Sequence, residues 1–336
     1  MKNNFYANNF LDSLLTLDSV HFKRIGNTIG WTNSKLVNEK ITQKLFINTS
    51  LTHSLISAMM AGTDTKFGQL EFNTHARFGL SKKTEIFFAS QLANNDYNGN
   101  SNHFKSGLRF FVDTNFIVEG NIWSGKSNPT FIETKLVSNH FIWDNSFAGP
   151  QNKGGGVLIR LKSSYLDIGY NSFKNYIYYD VVARPRQYEP AFDLFTAKLH
   201  NLHNFGRFTI ENTFVWQKVF GPELIRIPEF IDRFTFSYNK SFFTEVLHTR
   251  FGIETQFVSS YFADAWMPAT RQFYLQNNKK IENLVMADLF LNMKLKRALF
   301  FFKYQHFNAG LFGYDYYAVP GYPLQGRAFK FGVSWK

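Results

Sequence analysis

The sequence of 336 residues contains no cysteine and no long apolar run. The missing cysteines exclude disulfides, thiolate metal sites and cysteine nucleophiles. The longest apolar runs are short, such as residues 298–302, whereas a transmembrane helix needs about 18 consecutive apolar residues. Helices that span a membrane are therefore excluded, and a closed β-barrel is the other structure that satisfies every backbone group in lipid.

Aromatic residues, by contrast, are abundant. The chain has 40 Phe and 16 Tyr, yet its mean hydropathy is only −0.25. A membrane barrel combines an apolar lipid face and aromatic girdles with a polar interior, so this composition favours a membrane barrel over a soluble globular domain. The net charge of +12 is compatible with nucleic acid, an anionic membrane surface or anionic solutes, and charge alone does not choose among them.

Apolar and polar residues alternate along stretches as long as the roughly 9 to 11 residues that a tilted membrane strand needs. The pattern is clearest in residues 70–80, 207–217, 247–257, 285–296 and 329–336. In a strand this period of two gives one apolar and one polar face. We expect the apolar face to contact lipid and the polar face to contact water.

Seventeen stretches have strand character. They are 22–32, 44–56, 67–80, 83–93, 103–113, 115–123, 133–145, 153–162, 163–171, 175–183, 192–203, 205–218, 231–240, 244–259, 284–296, 298–309 and 326–336. Bacterial barrels formed by one chain have an even number of strands, so we expect one wrong assignment or a truncated end. The sequence predicts an all-β fold, a transmembrane antiparallel β-barrel of about 16 strands.

The segments between these stretches differ in length. Residues 81–83 and 296–298 look like short periplasmic turns, whereas 96–102, 260–283 and 310–325 look like long extracellular loops. We expect one barrel domain over residues 22–336. Residues 1–21 form an N-terminal segment that lies outside the barrel or is truncated, because the start of the chain lacks the uninterrupted apolar core of an export signal.

Charged residues on the predicted polar faces are basic more often than acidic. The candidate pore-lining residues are Arg77, Arg109, Arg207, Glu211, Arg250, Glu254, Lys294 and Lys330. The same faces also carry Lys105, Lys296, Glu71, Asp113 and Asp288. Two interpretations stay open, a pore whose potential favours anions and a set of charges that are solvated or paired with one another.

Two local motifs suggest other chemistry. Gly120, Gly125, Lys126 and Ser127 match a phosphate-binding loop, but that motif needs a helix immediately after it, and the sequence that follows shows no helical apolar stripe. We interpret the match as chance. His200 and the histidine at 203 would lie on opposite faces of a strand, so we expect no metal site there. Neither H-E-x-x-H nor G-x-S-x-G occurs, although an enzyme site assembled from distant strands stays open.

Several segments resemble the Bacteroidetes putative porin family. They are NHFIWDNSF (139–147), KGGGV (153–157), NYIYYD (175–180), RIPEF (226–230), SYFADAWMPATRQFYLQ (260–276) and YPLQGRAFKFGVSWK (322–336). The resemblance covers roughly the last 200 residues, and the first 130 residues resemble the family only in their general sequence character. It implies an outer-membrane barrel with a transport role. Family members are usually longer and carry an export signal, so we expect this chain to be the C-terminal part of a larger barrel.

The family also tends to end in an aromatic residue that the barrel-assembly machinery reads. Here Lys336 follows Trp335, so we expect the natural end to lie further on. The lipid-facing residues of this last strand, which we expect the machinery to bind, are Phe329, Phe331, Val333 and Trp335.

We therefore predict an outer-membrane channel for passive diffusion of small hydrophilic solutes, with anions as one candidate class. We expect it to perform no chemistry and to use no cofactor, metal or nucleic acid. Its expected partners are outer-membrane lipid, the barrel-assembly machinery, the solutes and further copies of itself in a homo-oligomer. The alternatives are a non-transporting barrel that scaffolds a surface complex, an outer-membrane enzyme and a soluble all-β binding protein.

Overall fold

The computed structural model describes residues 6–14, 18–34, 36–37, 40–41, 44–61, 63–311 and 316–335. Strands dominate these ranges, and their single helix, α1 (Phe131–Thr134), is one turn long. Within the same ranges no helix has the length and apolar character needed to cross a membrane.

Fifteen of the described strands pair side by side in one large sheet. In order across the sheet they are β1 (Val20–Thr32), β4 (Leu45–Met60), β5 (Thr63–Gly79), β6 (Thr84–Asn95), β7 (Gly99–Phe111), β8 (Phe116–Lys126), β11 (Gln151–Leu161), β12 (Ser164–Lys174), β15 (Phe192–Phe205), β16 (Phe208–Phe220), β17 (Phe230–Phe242), β18 (Leu247–Val258), β21 (Leu284–Leu295), β22 (Ala298–Gln305) and β25 (Ala328–Trp335). Each long strand pairs with the next long strand of the chain, so the sheet is an antiparallel meander. The predicted all-β class is confirmed.

Ten short strands form five hairpins within the connections. These pairs are β2 (Leu36–Val37) with β3 (Lys40–Ile41), β9 (Lys135–Val137) with β10 (Ile142–Asp144), β13 (Tyr176–Tyr179) with β14 (Pro185–Tyr188), β19 (Ala265–Met267) with β20 (Gln272–Tyr274), and β23 (Tyr317–Val319) with β24 (Tyr322–Pro323).

Two of the seventeen predicted strands are wrong, which leaves the fifteen of the sheet. Residues 133–145 contain part of α1 and the hairpin β9–β10, and residues 175–183 contain β13 and its turn. A capping box begins α1, in which the Thr130 side chain accepts from the Glu133 backbone N–H and the Glu133 carboxylate accepts from the Thr130 backbone N–H. The apolar residues of both segments pack against one another in a buried core. Their spacing along the chain therefore does not indicate a strand with one face on the large sheet.

The connections between long strands range from tight turns to long segments. Residues 80–83 and 296–297 are tight turns, and 259–283 and 306–327 are long, as predicted, although 312–315 lie outside the described residues. The predicted loop 96–102 is wrong. Only residues 96–98 connect β6 to β7, because Gly99, with φ of +81°, takes the left-handed conformation that a tight hairpin needs.

The chain divides into two compact units. Unit 1 comprises the described parts of Met1–Val157, Gly169–Asp193 and Trp266–Tyr274, and unit 2 comprises Leu158–Ile168, Leu194–Ala265 and Leu275–Lys336. Unit 1 has a buried core in which the connections contribute most of the side chains. This core contains Ala58, Met60, Phe131, Leu136, Phe141, Trp143, Tyr179, Ala183 and Ala269.

Aromatic contacts and one indole hydrogen bond fix this core. Trp143 donates from its indole Nε1 to the Ile132 carbonyl oxygen at 2.7 Å and packs edge-on against Tyr179. Burial raises the pKa of the Tyr179 hydroxyl, and the negative charge of Glu133 adds to that rise. The connections of unit 1 are therefore a packed structure that lies against the ends of β1 and β4.

Residues 6–14 contain no strand and lie on the same connections within unit 1. The Asn139 side chain accepts from the backbone N–H groups of Leu11 and Asp12, and the Tyr6 ring stacks on His140 at 3.9 Å between centroids. β1 begins at Val20, inside the predicted N-terminal segment 1–21. Residues 1–5 and 15–17 of that segment lie outside the described residues, so its separate status stays a prediction.

Each unit has an apolar and a polar sheet face, which the strand register defines. The apolar face of unit 1 includes Leu51, Phe72, Leu92, Phe104 and Ile122, and that of unit 2 includes Phe214, Phe236, Phe251, Phe329 and Phe331. These side chains are exposed, up to 72% for Phe331. So large an exposed apolar surface is stable against hydrocarbon rather than water.

Aromatic rings on the polar faces lie over glycines of the neighbouring strand. Phe87 is opposite Gly107 in the register, and Phe301 is opposite Gly332. A Cβ at Gly107 would come within 2.4 Å of the Phe87 ring and 2.5 Å of the Gly120 carbonyl oxygen. Glycine is therefore required at this position for close packing of the ring on the sheet.

The substitution Gly107→Ala should destabilise the protein by about 1–3 kcal/mol, because the added methyl displaces Phe87 or distorts β8. The midpoint of urea unfolding in detergent, followed by loss of the heat-modifiable gel band, measures this effect. Gly120→Ala is the matched control on the paired strand, since a Cβ there has no neighbour within 4 Å. Equal midpoints for the two variants would contradict the packing argument.

Candidate functional site: the polar face of the sheet

Ion pairs on the polar face of unit 1 follow directly from the strand register. Arg109 of β7 lies opposite Glu85 of β6 and Glu119 of β8. Its Nη1 donates to Glu85 at 2.9 Å, and its Nε and Nη2 donate to Glu119 at 2.9 and 2.7 Å. The three charges form one row across three strands, so a single basic residue compensates two carboxylates.

The remaining basic residues of this face are less fully paired. Arg24 reaches Glu71 at 4.0 Å, and the Arg77 guanidinium lies 4.8 Å from the centre of the Phe46 ring. Among the described residues, Arg77 and Lys105 form no ion pair. The polar face of strands β1 and β4–β8 thus carries four basic and three acidic side chains: Arg24, Arg77, Lys105 and Arg109, against Glu71, Glu85 and Glu119.

A charge cluster lies at the centre of the polar face of unit 2. Glu254 is opposite Asp288 in the register, and two basic side chains reach this pair. Arg233 donates to Glu254 at 2.9 Å, and the Lys303 ammonium lies 2.7 Å from Asp288 and 3.8 Å from Glu254. Both carboxylates are therefore neutralised within the cluster.

Other basic side chains of unit 2 surround this cluster. Arg250 donates from Nε to the Ser237 hydroxyl at 2.9 Å and lies 4.0 Å from Glu211. Lys330 is opposite Lys303 in the register, and neither Lys330 nor Lys294 forms an ion pair with any described residue. The polar face of β16–β18, β21, β22 and β25 thus carries five basic and three acidic side chains: Arg233, Arg250, Lys294, Lys303 and Lys330, against Glu211, Glu254 and Asp288.

Most of the predicted pore-lining residues lie on these polar faces. The exceptions are Arg207, Lys296 and Asp113, which lie in turns. Arg207 donates to the hydroxyl of Tyr238, which the register places on the apolar face. Lys296 has a φ of +51°, in the left-handed region that is common in tight turns. The Asp113 carboxylate caps its turn by accepting from the backbone N–H groups at 115 and 116. That the polar faces line a pore stays a prediction.

Five charged residues of these faces were not predicted from the sequence: Arg24, Glu85, Glu119, Arg233 and Lys303. They lie in strands other than those with the clearest alternation, and the period of two within those strands is the signal that could have found them. Lys303 lies between Phe302 and Tyr304 of the apolar face, and Arg233 precedes Phe234 of the apolar face.

The two motifs that suggested other chemistry do not form sites. Gly120, Gly125 and Lys126 all lie within the strand β8, so the backbone there cannot wrap around a phosphate. His200 stacks on Tyr165 and bonds the Thr213 hydroxyl at 2.9 Å, whereas the ring at 203 packs beside Phe205. The described residues contain no group of three metal-ligating side chains.

Residues 259–265 and 275–283 of the long connection belong to unit 2 and lie against residues 221–229, which brings parts of two of the resemblance segments together. Arg226 donates to the Asn277 side chain at 2.8 Å and lies 5.7 Å from the centre of the Phe262 ring. Burial raises the pKa of Asp264, an effect that Arg226 partly offsets. Burial also raises the pKa of Tyr261, with the charge of Asp264 adding to it. Like the connections of unit 1, these parts of the connection are therefore packed against neighbouring residues.

Comparison with solved structures identifies the fold. The chain is similar to a mutant of the ferric enterobactin receptor PfeA from Pseudomonas aeruginosa, with a TM-score of 0.67 and 9% identity over 94% of this chain and 54% of that one. It is also similar to the siderophore receptor PirA from Acinetobacter baumannii (TM-score 0.63, 8% identity, 94% and 55% covered) and from Pseudomonas aeruginosa (0.64, 10%, 94% and 55%). The chain spans about half the length of these receptors. No curated protein matches it.

A family model described as "Putative porin" matches residues 1–336, a longer part of the chain than the segments in which the resemblance was evident. Together with the outer-membrane receptor fold, this match places the protein in the bacterial outer membrane. The chain belongs to the putative porin family and has the fold of an outer-membrane β-barrel.

Proposed function

We propose that this protein is an outer-membrane channel through which small hydrophilic solutes diffuse, with a preference for anions. The observation that carries the proposal is the division of the sheet into an exposed apolar face and a polar face with excess positive charge. The apolar face suits contact with lipid. The polar face then borders water and lets charged or hydroxylated solutes pass without entering hydrocarbon.

The anion preference rests on four basic residues that have no carboxylate partner among the described residues. Two lie in unit 1, Arg77 and Lys105, and two lie in unit 2, Lys294 and Lys330. Paired charges largely cancel at a distance, so the unpaired ones set the potential that a passing ion experiences. We therefore favour the interpretation of an anion-selective pore over that of a fully compensated wall.

Assembly and orientation are part of the same proposal. The strand ends that carry the long connections 259–283 and 306–327 face the cell exterior, and the opposite ends, which carry the tight turns 80–83 and 296–297, face the periplasm, as is general for bacterial barrels. The barrel-assembly machinery recognises the apolar face of β25, where Phe329, Phe331 and Trp335 are 65%, 72% and 77% exposed. The proposal contains no catalytic step, in keeping with a porin family and with receptor-type structural neighbours.

A second candidate is a non-transporting barrel that scaffolds a surface complex. It is favoured by exposed apolar side chains on the packed connections of unit 1, namely Val181, Val182 and Phe273, which are 51–60% exposed. Apolar residues at connection tips are suited to contact another protein. A barrel that folds fully but conducts no ions would favour this candidate.

Purified protein inserted into planar bilayers should produce discrete single-channel currents. With unequal chloride salt on the two sides, the reversal potential should have the sign of an anion-selective pore, because the polar face has excess positive charge. A cation-selective reversal potential would contradict the proposed selectivity, and a silent, folded protein would contradict the channel itself.

The double variant Lys294→Glu, Lys330→Glu should shift selectivity towards cations. At a separation of about 4 Å in water a unit charge changes the energy of an ion by about 1 kcal/mol, so we expect a change of about fivefold or more in the permeability ratio of anion to cation. Reversal potentials measure this ratio.

Lys66→Gln is the matched control, since Lys66 pairs with Asp64 at 3.2 Å and both lie on the apolar-face side of the register. The control should conduct and select like the unmodified protein. An unchanged ratio in the double variant would mean that Lys294 and Lys330 do not border the path of the ions.

A further inference from the structure

The polar face of unit 1 contains a recess of about 380 Å³, and most of the side chains that line it are uncharged. It lies over strands β4–β8 and the beginning of β11. Its volume is within the range of small-molecule sites in proteins, roughly 300–1,000 Å³. The side chains that point into it are Asn48, Asn73, His75, Gln91, His103, Lys105, Trp123 and Asn152.

Small residues create the recess. One row of the register runs from Asn48 through His75, Ala89 and Lys105 to Trp123, so the short Ala89 side chain lies among long ones. The next row contains Ser50, Asn73, Gln91, His103 and Gly125. The depression is thus built into the strand sequences and needs no movement of a connection.

Two side-chain amides in the recess have a fixed orientation. Asn73 Nδ2 and Gln91 Nε2 both donate to the same oxygen, Glu71 Oε1, at 2.8 and 3.0 Å. Because their NH₂ groups are held by the carboxylate, both amides retain carbonyl oxygens that can accept hydrogen bonds from a solute. The pair therefore presents acceptors that suit hydroxyl groups.

The indole of Trp123 forms a flat wall of the same recess. Its Nε1 donates to the Asn171 side chain at 2.8 Å, and its six-membered ring lies over Gly154, where a Cβ would come within 2.7 Å. The hydrogen bond to Asn171 fixes one edge of the indole, and the contact with Gly154 fixes one of its faces. A fixed aromatic face with electron density above it attracts the apolar C–H groups of a sugar-like ring.

Lys105 supplies a full positive charge beside this wall. It lies directly opposite Trp123 in the register, and directly opposite residues have Cβ atoms about 4.5–5.5 Å apart. None of the residues that line the recess is a carboxylate, and Lys105 forms no ion pair with any described residue. An anionic group that enters the recess would therefore meet an uncompensated ammonium group.

We propose that this recess is a binding subsite for a polyhydroxylated solute with one anionic group, such as a sugar acid. The hydroxyls donate to the carbonyl oxygens of Asn73 and Gln91, the ring packs on Trp123, and the carboxylate or phosphate pairs with Lys105. The subsite rests on the proposed function only in requiring that solutes reach the polar face. It adds a substrate class to that function.

Isothermal titration calorimetry of the full chain in detergent tests the subsite without requiring conduction. The probes are glucuronate, which has hydroxyls and a charge, glucose, which has hydroxyls alone, and acetate, which has a charge alone. We expect glucuronate to bind more tightly than either of the others. Equal affinity for acetate and glucuronate, or for glucose and glucuronate, would overturn the proposed ligand class.

Two variants connect the binding to the recess. Lys105→Gln should weaken glucuronate binding by about tenfold, since it removes one charge-assisted hydrogen bond, and Gln91→Ala should weaken glucose and glucuronate alike. The matched control is Lys294→Gln, which removes an unpaired cation of unit 2 that does not line this recess. The heat-modifiable gel band verifies that each variant folds.

Unchanged affinity in Lys105→Gln, or an equal loss in Lys294→Gln, would overturn the assignment to this recess. Absence of any glucuronate binding would overturn the subsite as well. These results leave the channel proposal intact, because bilayer conductance tests it separately, and a silent protein that still binds glucuronate would overturn the channel alone.

Discussion

The structure depends on one constraint, that backbone N–H and C=O groups in hydrocarbon have no water to bond and must bond one another. Every strand between β1 and β25 in the large sheet meets this requirement with a partner on both sides. Strand pairing of this kind leaves side chains free to alternate between two environments. The apolar face can then contact lipid while the polar face carries charges, although the mean hydropathy of the chain is below zero.

The register between paired strands determines which of the alternating polar side chains lie next to one another. Side chains directly opposite each other on paired strands lie within contact distance, so Glu85, Arg109 and Glu119 form an ion-pair row, and Glu254 and Asp288 share Lys303. Carboxylates are the minority on these faces and find partners. The surplus basic residues therefore stay unpaired and determine the sign of the potential along the polar face.

Small residues have a second role on the same faces. Gly107 and Gly332 leave room for the rings of Phe87 and Phe301, which fill space beside the strands. Ala89, which lies between His75 and Lys105 in the register, leaves a recess instead. The polar face therefore has a depression that is formed by the strands alone, and the proposed solute subsite lies there, whereas the connections of unit 1 pack separately around Trp143 and Tyr179.

The sequence alone determined the all-β class, fifteen of the strands and most of the polar-face charges, because a period of two is a local property of each strand. It did not distinguish sheet strands from residues 133–145 and 175–183, since apolar residues that pack in a core of connections have similar spacing. Nor did it show which charges pair, or that Asn73, Gln91, Lys105 and Trp123 share one recess. Those facts depend on the register between strands, which pairs residues far apart in the chain and is decided only by the tertiary structure.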